Sequence, residues 1–295
     1  MKKLLAGIVA LMLIASPVAF AGGRRAADGP VVGFSVSTLN NPFFVTMVEG
    51  AQARAAELGI QLVVLDAGDD AARQASDMED LIARRVNVII VNPVDSDAIT
   101  PSAIAAMNAN IQVIAVDRLV NGVNVAASIA SDNVAGARMA TEYLLQRVGQ
   151  GAEVAELQGI LGASATIDRG EGFHQVATGN LNVVTSQTAN FNRAAGLNVT
   201  ENILQGNPNI RGIFAHNDEM ALGAIEALGG RDIVVVGFDA TDDALIAVQD
   251  GRMAATVAQQ PDLMGSVAVE TAQSIIYGHP VQPNIPVNVS LVTTP

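Results

Sequence analysis

The stretch VVGFSVSTLNNPFF, residues 31–44, starts as an apolar run, Val31–Val36, and turns polar at Ser37. Asn40-Asn41-Pro42 follows, an amide cap and then a proline whose missing N–H is tolerated in a first helical turn. Behind it, the Ala-rich segment Phe44–Leu58 has helical period, and Gly59 stands where a C-cap belongs. A strand that is apolar on both faces and turns at once into a capped helix is the building unit of a parallel sheet covered by helices.

The unit recurs along the chain. Strand-like runs are read at Gln61–Asp66, Asn87–Asn92, Gln112–Asp117 and Val125–Ser131. A second series follows at Glu153–Gly159, Val183–Gln187, Ile210–His216, Ile233–Asp239 and Met253–Ala258. Between them lie helix-period segments such as Asp70–Arg85, Asn133–Arg147 and Asp218–Leu228, with N-cap signals at Ser131-Asp132-Asn133 and Asn217-Asp218 and a C-cap candidate at Gly149. This alternation predicts an α/β fold of two doubly wound, parallel-sheet domains. The tail, punctuated by Pro280, Pro283 and Pro286, ends in one short strand-like run, Val287–Val292. The 295 residues, half of them apolar, suffice for two domains with real cores. No low-complexity linker separates them, so more than one short crossover is expected.

The first 21 residues read as a secretory signal: Lys2 and Lys3, the apolar run Leu4–Ile14, and the cleavage pattern Ala19-Phe20-Ala21. The run is too short for a membrane span, which needs roughly 20 residues. The chain has no cysteine, hence neither a disulfide nor a lipid-bearing thiol at the cleavage site. The expected location is the periplasm, in solution after signal removal. Both lysines lie in the signal, so the remainder sets 14 arginines against 29 acidic residues, a net charge of −15. Such a surface does not track phosphates, which excludes nucleic acid as a partner.

In open α/β sheets a ligand sits beyond the carboxyl ends of the strands. Read there, the chain offers Asn41, Phe43 and Phe44 after the first run, Asn92 after the third, Asp117-Arg118 after the fourth and Ser131 at the end of the fifth. The second series offers Gln158-Gly159-Ile160, Phe191, His216-Asn217, Phe238-Asp239 and Gln259. Outside the signal there are seven Phe, and four of them stand at these positions. Each ring alone fits a core role; interleaved with Asn, Asp, Arg and Gln, they point to a site. Aromatic faces lie against the C–H faces of a sugar, while Asp accepts, Arg donates and Asn and Gln do both toward its hydroxyls. Micromolar binding of a pentose of roughly ten heavy atoms needs about 0.8 kcal/mol per atom, attainable only with nearly every polar group paired.

Several blocks resemble the type I periplasmic sugar-binding proteins, the ribose-binding members above all. They are Ser37–Phe44, Val91–Asp97, Ile129–Asn133, Glu156–Ile160, Arg169–Phe173, Phe214–Ala224 and Val235–Asp239, in one order from about residue 30 onward. The resemblance implies a three-crossover hinge near residues 131, 259 and 288. It divides the chain into 30–131 plus 260–288 and 132–259 plus 289–295. It also implies contact roles. Asn41, Phe43, Phe44, Asn92, Asp117, Arg118 and Ser131 would serve from the first domain. Ile160, Arg169, Phe191, Asn217, Phe238 and Asp239 would serve from the second, with Gln259 at the hinge. Phe43 and Phe44 would cover one sugar face and Phe191 the other. The implied ligand is D-ribose, with allose, galactose or a furanosyl signalling molecule as alternatives. The implied partners are an ABC-type import permease and a chemotaxis receptor, and the implied state is a monomer. Two positions depart from the pattern: His216, where Gln is usual, and Ile167, where Arg is usual.

Other classes fit less well. There is no G-x-S-x-G elbow and no Walker A motif; Gly159-Ile160-Leu161-Gly162 and Gly170-Glu171-Gly172 are fragments better read as turns. No catalytic residue and no cofactor are therefore expected. His174, His216 and His279 lack metal-ligand spacing. A sugar-responsive repressor would carry a helix-turn-helix where this chain has its signal.

Overall fold

The computed structural model describes residues 29–294, so the signal expected at residues 1–21 lies outside the described residues. The strands are β1 (Val31–Val36), β2 (Gln61–Asp66), β3 (Val88–Val91), β4 (Gln112–Val116), β5 (Ala127–Ser131), β6 (Glu153–Gln158), β7 (Asn182–Thr188), β8 (Gly212–Ala215), β9 (Val234–Asp239), β10 (Ala255–Ala258), β11 (Asn284–Val287) and β12 (Ser290–Thr293). The helices are α1 (Pro42–Leu58), α2 (Ala71–Ala83), α3 (Thr100–Asn108), α4 (Asn133–Val148), α5 (Ser164–Ala177), α6 (Arg193–Gly206), α7 (Asp218–Leu228), α8 (Asp242–Gln249) and α9 (Pro261–Ile276).

Two six-stranded sheets result, ordered β11-β5-β4-β3-β1-β2 and β12-β10-β9-β8-β6-β7. The opening stretch behaves as its residues dictate: the Asn41 Oδ1 accepts from the Phe43 N–H at 3.0 Å, Pro42 begins the helix, and Gly59 ends it with φ 66°. Each sheet is apolar on both faces because helices cover both. Phe34, Ile90 and Ile114 of the first sheet pack on Met47 of α1 and Met264 of α9, while Ile89 and Val113 pack on Met78 and Leu81 of α2. In the second sheet Leu157 and Ile213 meet Ile203 of α6 and Met220 of α7. On its other face Phe214 and Val236 meet Leu144 of α4 and Phe173 of α5.

The chain passes between the sheets three times, after Ser131, after Ala258 and after Val287. The first two passages run into helices, α4 on the second sheet and α9 on the first, so the next strand again runs parallel. The third has no helix. The tail expected as one strand is two, β11 and β12, separated by Asn288 and Val289. β11 pairs parallel with β5, but β12 continues straight into the second sheet and pairs antiparallel with β10. β12 is therefore an antiparallel edge on an otherwise parallel sheet, because running it parallel would need a crossover that two residues cannot supply.

A buried ionisable pair underlies the second sheet. Glu156 on β6 places Oε1 2.8 Å from the His216 Nε2 and accepts from the Gln158 Nε2 at 3.2 Å, while its Oε2 is 3.3 Å from the Nε2 of half-exposed His174 on α5. Burial alone would raise the Glu156 carboxyl; the hydrogen bond to His216, helped by one from Ser186, outweighs it and holds it below the usual carboxylate range. Burial pushes His216 below the usual imidazole range. Both groups therefore bind fewer protons folded than unfolded, and stability falls as pH drops below about 6.5. In scanning calorimetry the melting midpoint should decline from pH 7 to pH 4. The variant His216→Gln, whose amide can still donate to Glu156, should lose the upper part of that decline. Superimposable pH profiles for the two proteins would remove His216 as the cause.

Candidate functional site

The carboxyl ends of the two sheets face each other. Between them lies a cavity of only about 10 Å³, lined by Asn41, Phe43, Phe44, Asp117, Arg118, Ala165, Arg169, Phe191, Asn217 and Asp239. That is room for about one water, far below the roughly 300–1,000 Å³ of ordinary small-molecule pockets, so the lining must part to admit a ligand. Both sheets contribute to the lining. Asn41, Phe43 and Phe44 cap and open α1, and Asp117-Arg118 follow β4. Ala165 and Arg169 come from the start of α5, Phe191 from the β7–α6 turn, Asn217 is the N-cap of α7, and Asp239 ends β9.

Backbone geometry aims three of these side chains. Asp117 has φ 64° inside a three-residue turn closed by the Arg118 N–H donating to the Val116 carbonyl at 2.7 Å. Asn190 and Phe191 both have positive φ, 53° and 57°, under the Asn192 N–H to Ala189 carbonyl bond of 2.9 Å. This is the pattern of a type I′ turn, which suits Asn and is unusual for Phe. Asp239 has φ 123°. Non-glycine residues held in such regions cost on the order of 1–3 kcal/mol each and persist where the surroundings dictate them. The Phe191 ring also needs Gly159, where a Cβ would stand 2.0 Å from the ring.

Four charges meet at the cavity, all nearly inaccessible to solvent. The Arg118 Nε is 3.7 Å from the Asp117 Oδ2, and the Arg169 Nη1 is 3.7 Å from the Asp239 Oδ1. At that separation each pair is neutralised without being closed by a hydrogen bond, so polar atoms stay free to bond a ligand. The Arg118 Nε in particular is buried with no hydrogen-bond partner among the described residues. Arg118 lies 5.1 Å from the ring centres of both Phe44 and Phe191, and Arg169 lies 3.9 Å from that of Phe238. Burial drives the Asp117 and Asp239 carboxyls upward against Arg118 and Arg169, and lowers both guanidinium groups.

Of the residues singled out from sequence, nine line this cavity: Asn41, Phe43, Phe44, Asp117, Arg118, Arg169, Phe191, Asn217 and Asp239. The others stand around it. The Asn92 Nδ2 holds the Asp117 Oδ2 at 3.1 Å, and the Gln259 Nε2 holds the Asp239 Oδ1 at 2.7 Å. Ser131 is buried at the first passage, Ile160 packs on the second core, and Phe238 is wholly buried beneath Arg169. Three contributors were not among the candidate site residues read from the sequence. Ala165 is a small residue on a helix, and Asn133 accepts from the Arg169 Nε at 2.9 Å. Asp218 accepts from Thr256 and from the Thr241 N–H, both near 2.8 Å, and so ties down the loop after Asp239. Burial raises the Asp218 carboxyl to about 7.

From residue 32 to 280 the chain matches the family described as periplasmic binding protein domain. It is 47% identical to the ribose import binding protein of Bacillus subtilis over 264 residues, covering 89% of this chain and 87% of that one. It is 46% identical to the ribose import binding protein of Escherichia coli over 296 residues, covering 99% and 98%. Among solved structures, an ABC transporter solute-binding protein of Actinobacillus succinogenes with bound D-allose is 32% identical. It superposes with a TM-score of 0.83, covering 90% of this chain and 97% of that chain. The myo-inositol binding protein of Caulobacter, bound to myo-inositol, is 34% identical with a TM-score of 0.85, covering 89% and 93%. Cavity, sheets and relatives agree: the chain belongs to the periplasmic binding protein family.

Proposed function

We propose that this chain binds D-ribose in the central cavity, closes two domains around it and hands it to an ABC-type import permease from the periplasm. The observation that carries the reading is the cavity itself. It is lined from both sheets, with two carboxylates, two guanidinium groups and two amides set between phenylalanine rings. A small molecule with a hydroxyl on nearly every carbon uses all of them; an apolar one would strand them. The 47% and 46% identities to ribose import binding proteins favour a pentose over other polyols. The proposed domains are residues 30–131 plus 260–288 and residues 132–259 plus 289–295, joined through the three passages. The proposed contacts are the nine lining residues named above, with Asn92, Ser131, Ile160, Phe238 and Gln259 supporting them. Sugar favours the closed form because only there do both domains reach it. The role is carriage by a monomer, without chemistry on the sugar, and a chemotaxis receptor reading the closed face is a second proposed partner.

The neighbours with bound allose and myo-inositol make another neutral polyol the competing reading. Titration calorimetry with ribose, allose, galactose, glucose, arabinose, xylose and myo-inositol separates the two. Ribose is expected to bind most tightly; silence with ribose and heat from a hexose or inositol would refute the pentose assignment.

Closure is tested by small-angle scattering. The radius of gyration should shrink on saturation with ribose, and unchanged dimensions would sink the two-domain mechanism.

Arg118→Ala and Asp239→Ala should each weaken ribose binding by about 1–3 kcal/mol, since each leaves a partner charge or sugar hydroxyls unpaired. Wild-type affinity in both would remove them from the site.

A further inference from the structure

Beside the cavity, the two sheet units touch directly along one rim. The loop after β3 and the loop after β4 meet the turn after β6 and the first residues of α5. The Ser96 N–H donates to the Gly162 carbonyl at 2.9 Å, the Ser164 N–H donates to the Ser96 Oγ at 3.1 Å, and the Leu119 N–H donates to the Ser164 Oγ at 2.9 Å. Ser96 and Ser164 are both buried, although neither belongs to an apolar core or lines the cavity. Asp95 stiffens its own loop by accepting from the Asp97 and Ala98 N–H groups at 2.9 and 2.8 Å. Its carboxylate lies so close to Gly162 that a Cβ there would stand 1.8 Å from Oδ2. The opposite rim differs. There Pro42, Phe43 and Thr46 face Ala240–Asp243 across a groove of about 440 Å³, and among the described residues no hydrogen bond spans it.

We propose that Ser96, Gly162 and Ser164 form a latch, made only when the two units close, that sets sugar affinity without touching the sugar. This rests on the reading of the chain as a closing two-domain binder. The three bonds join residues 45 to 68 positions apart, or loops of different sheets, so any rotation that opens the cavity parts them. Opened, the serines and backbone groups exchange their partners for water. The Gly162 contact has no such substitute: an extra methyl is harmless in the open form and collides with a carboxylate held by two backbone donors in the closed one. Latch residues therefore act on the fraction of molecules able to close, which multiplies the apparent affinity. They also explain the glycine spacing of the Gly159-Ile160-Leu161-Gly162 turn. Gly159 admits the Phe191 ring from its own unit, and Gly162 admits the Asp95 loop from the other.

The test compares wild type, Gly162→Ala, Ser164→Ala and the double variant Gly162→Ala/Asp95→Ala by calorimetry with ribose, by melting of the sugar-free protein and by scattering with and without sugar. Gly162→Ala should weaken ribose binding by about tenfold or more, with the sugar-free melting midpoint unchanged. Ser164→Ala should weaken it less, since Cβ stays and one acceptor is lost. Adding Asp95→Ala should restore most of the loss in Gly162→Ala by removing the colliding carboxylate. Wild-type affinity in Gly162→Ala, no restoration in the double variant, or a lowered sugar-free midpoint in Gly162→Ala would each overturn the latch. A wild-type protein that neither binds ribose nor contracts would overturn the functional reading itself, and that arm is read before any variant.

Discussion

Four buried charges, Asp117 and Arg118 on one sheet and Arg169 and Asp239 on the other, set the terms for everything around them. Removing a charged side chain from water costs several kcal/mol even after the protein relaxes. The structure offsets this by placing each guanidinium beside a carboxylate and laying aromatic faces against the guanidinium planes. Yet it stops short of closing the ion pairs, whose atoms stay 3.7 Å apart. A tight bidentate pair would be more stable and would recognise nothing. Neutralised charges with spare bonding capacity suit a ligand that brings hydroxyls rather than charge.

The surroundings serve to hold that arrangement. Asn92 and Gln259 each bond one carboxylate, Asn133 and the His216 carbonyl bond Arg169, and the Pro93 carbonyl bonds Arg118. Positive-φ backbone at Asp117, Phe191 and Asp239 keeps these side chains from relaxing into the strands that precede them. The strain is affordable because it sits at the ends of strands whose middles are packed on both faces.

Much of this was legible beforehand, and for a physical reason. Parallel strands covered on both faces are written as unbroken apolar runs, so their ends, and hence the site, can be counted off the sequence. Asn41-Pro42 announced its helix through capping chemistry that acts within three residues. What could not be read depends on distance in the chain. Ala165 is an ordinary helical alanine until the fold brings it to the cavity, and Asp218 reads as a first-turn acid until Thr241 and Thr256 close over it. Phe238 stands at a strand end like Phe191, but its ring turns into the core beneath Arg169, where Gly136 leaves space for it. The tail misled for a similar reason. Two strands separated by two residues look like one run, and only the pairing partners distinguish them.

That tail has a consequence for how the molecule is made. β11 and β12 are the outer strands of different sheets, and they arrive together from residues 284–293. On a chain emerging from its N-terminal end, β5 and β10 both keep an unpaired edge until this last segment appears. Neither half can be finished before the other, and one of the two final pairings joins residues more than 150 positions apart, as between Ile129 and Ile285. Long-range pairing of this kind is slow. A protein so wired stays incomplete, and therefore threadable, until residues 284–293 have been made.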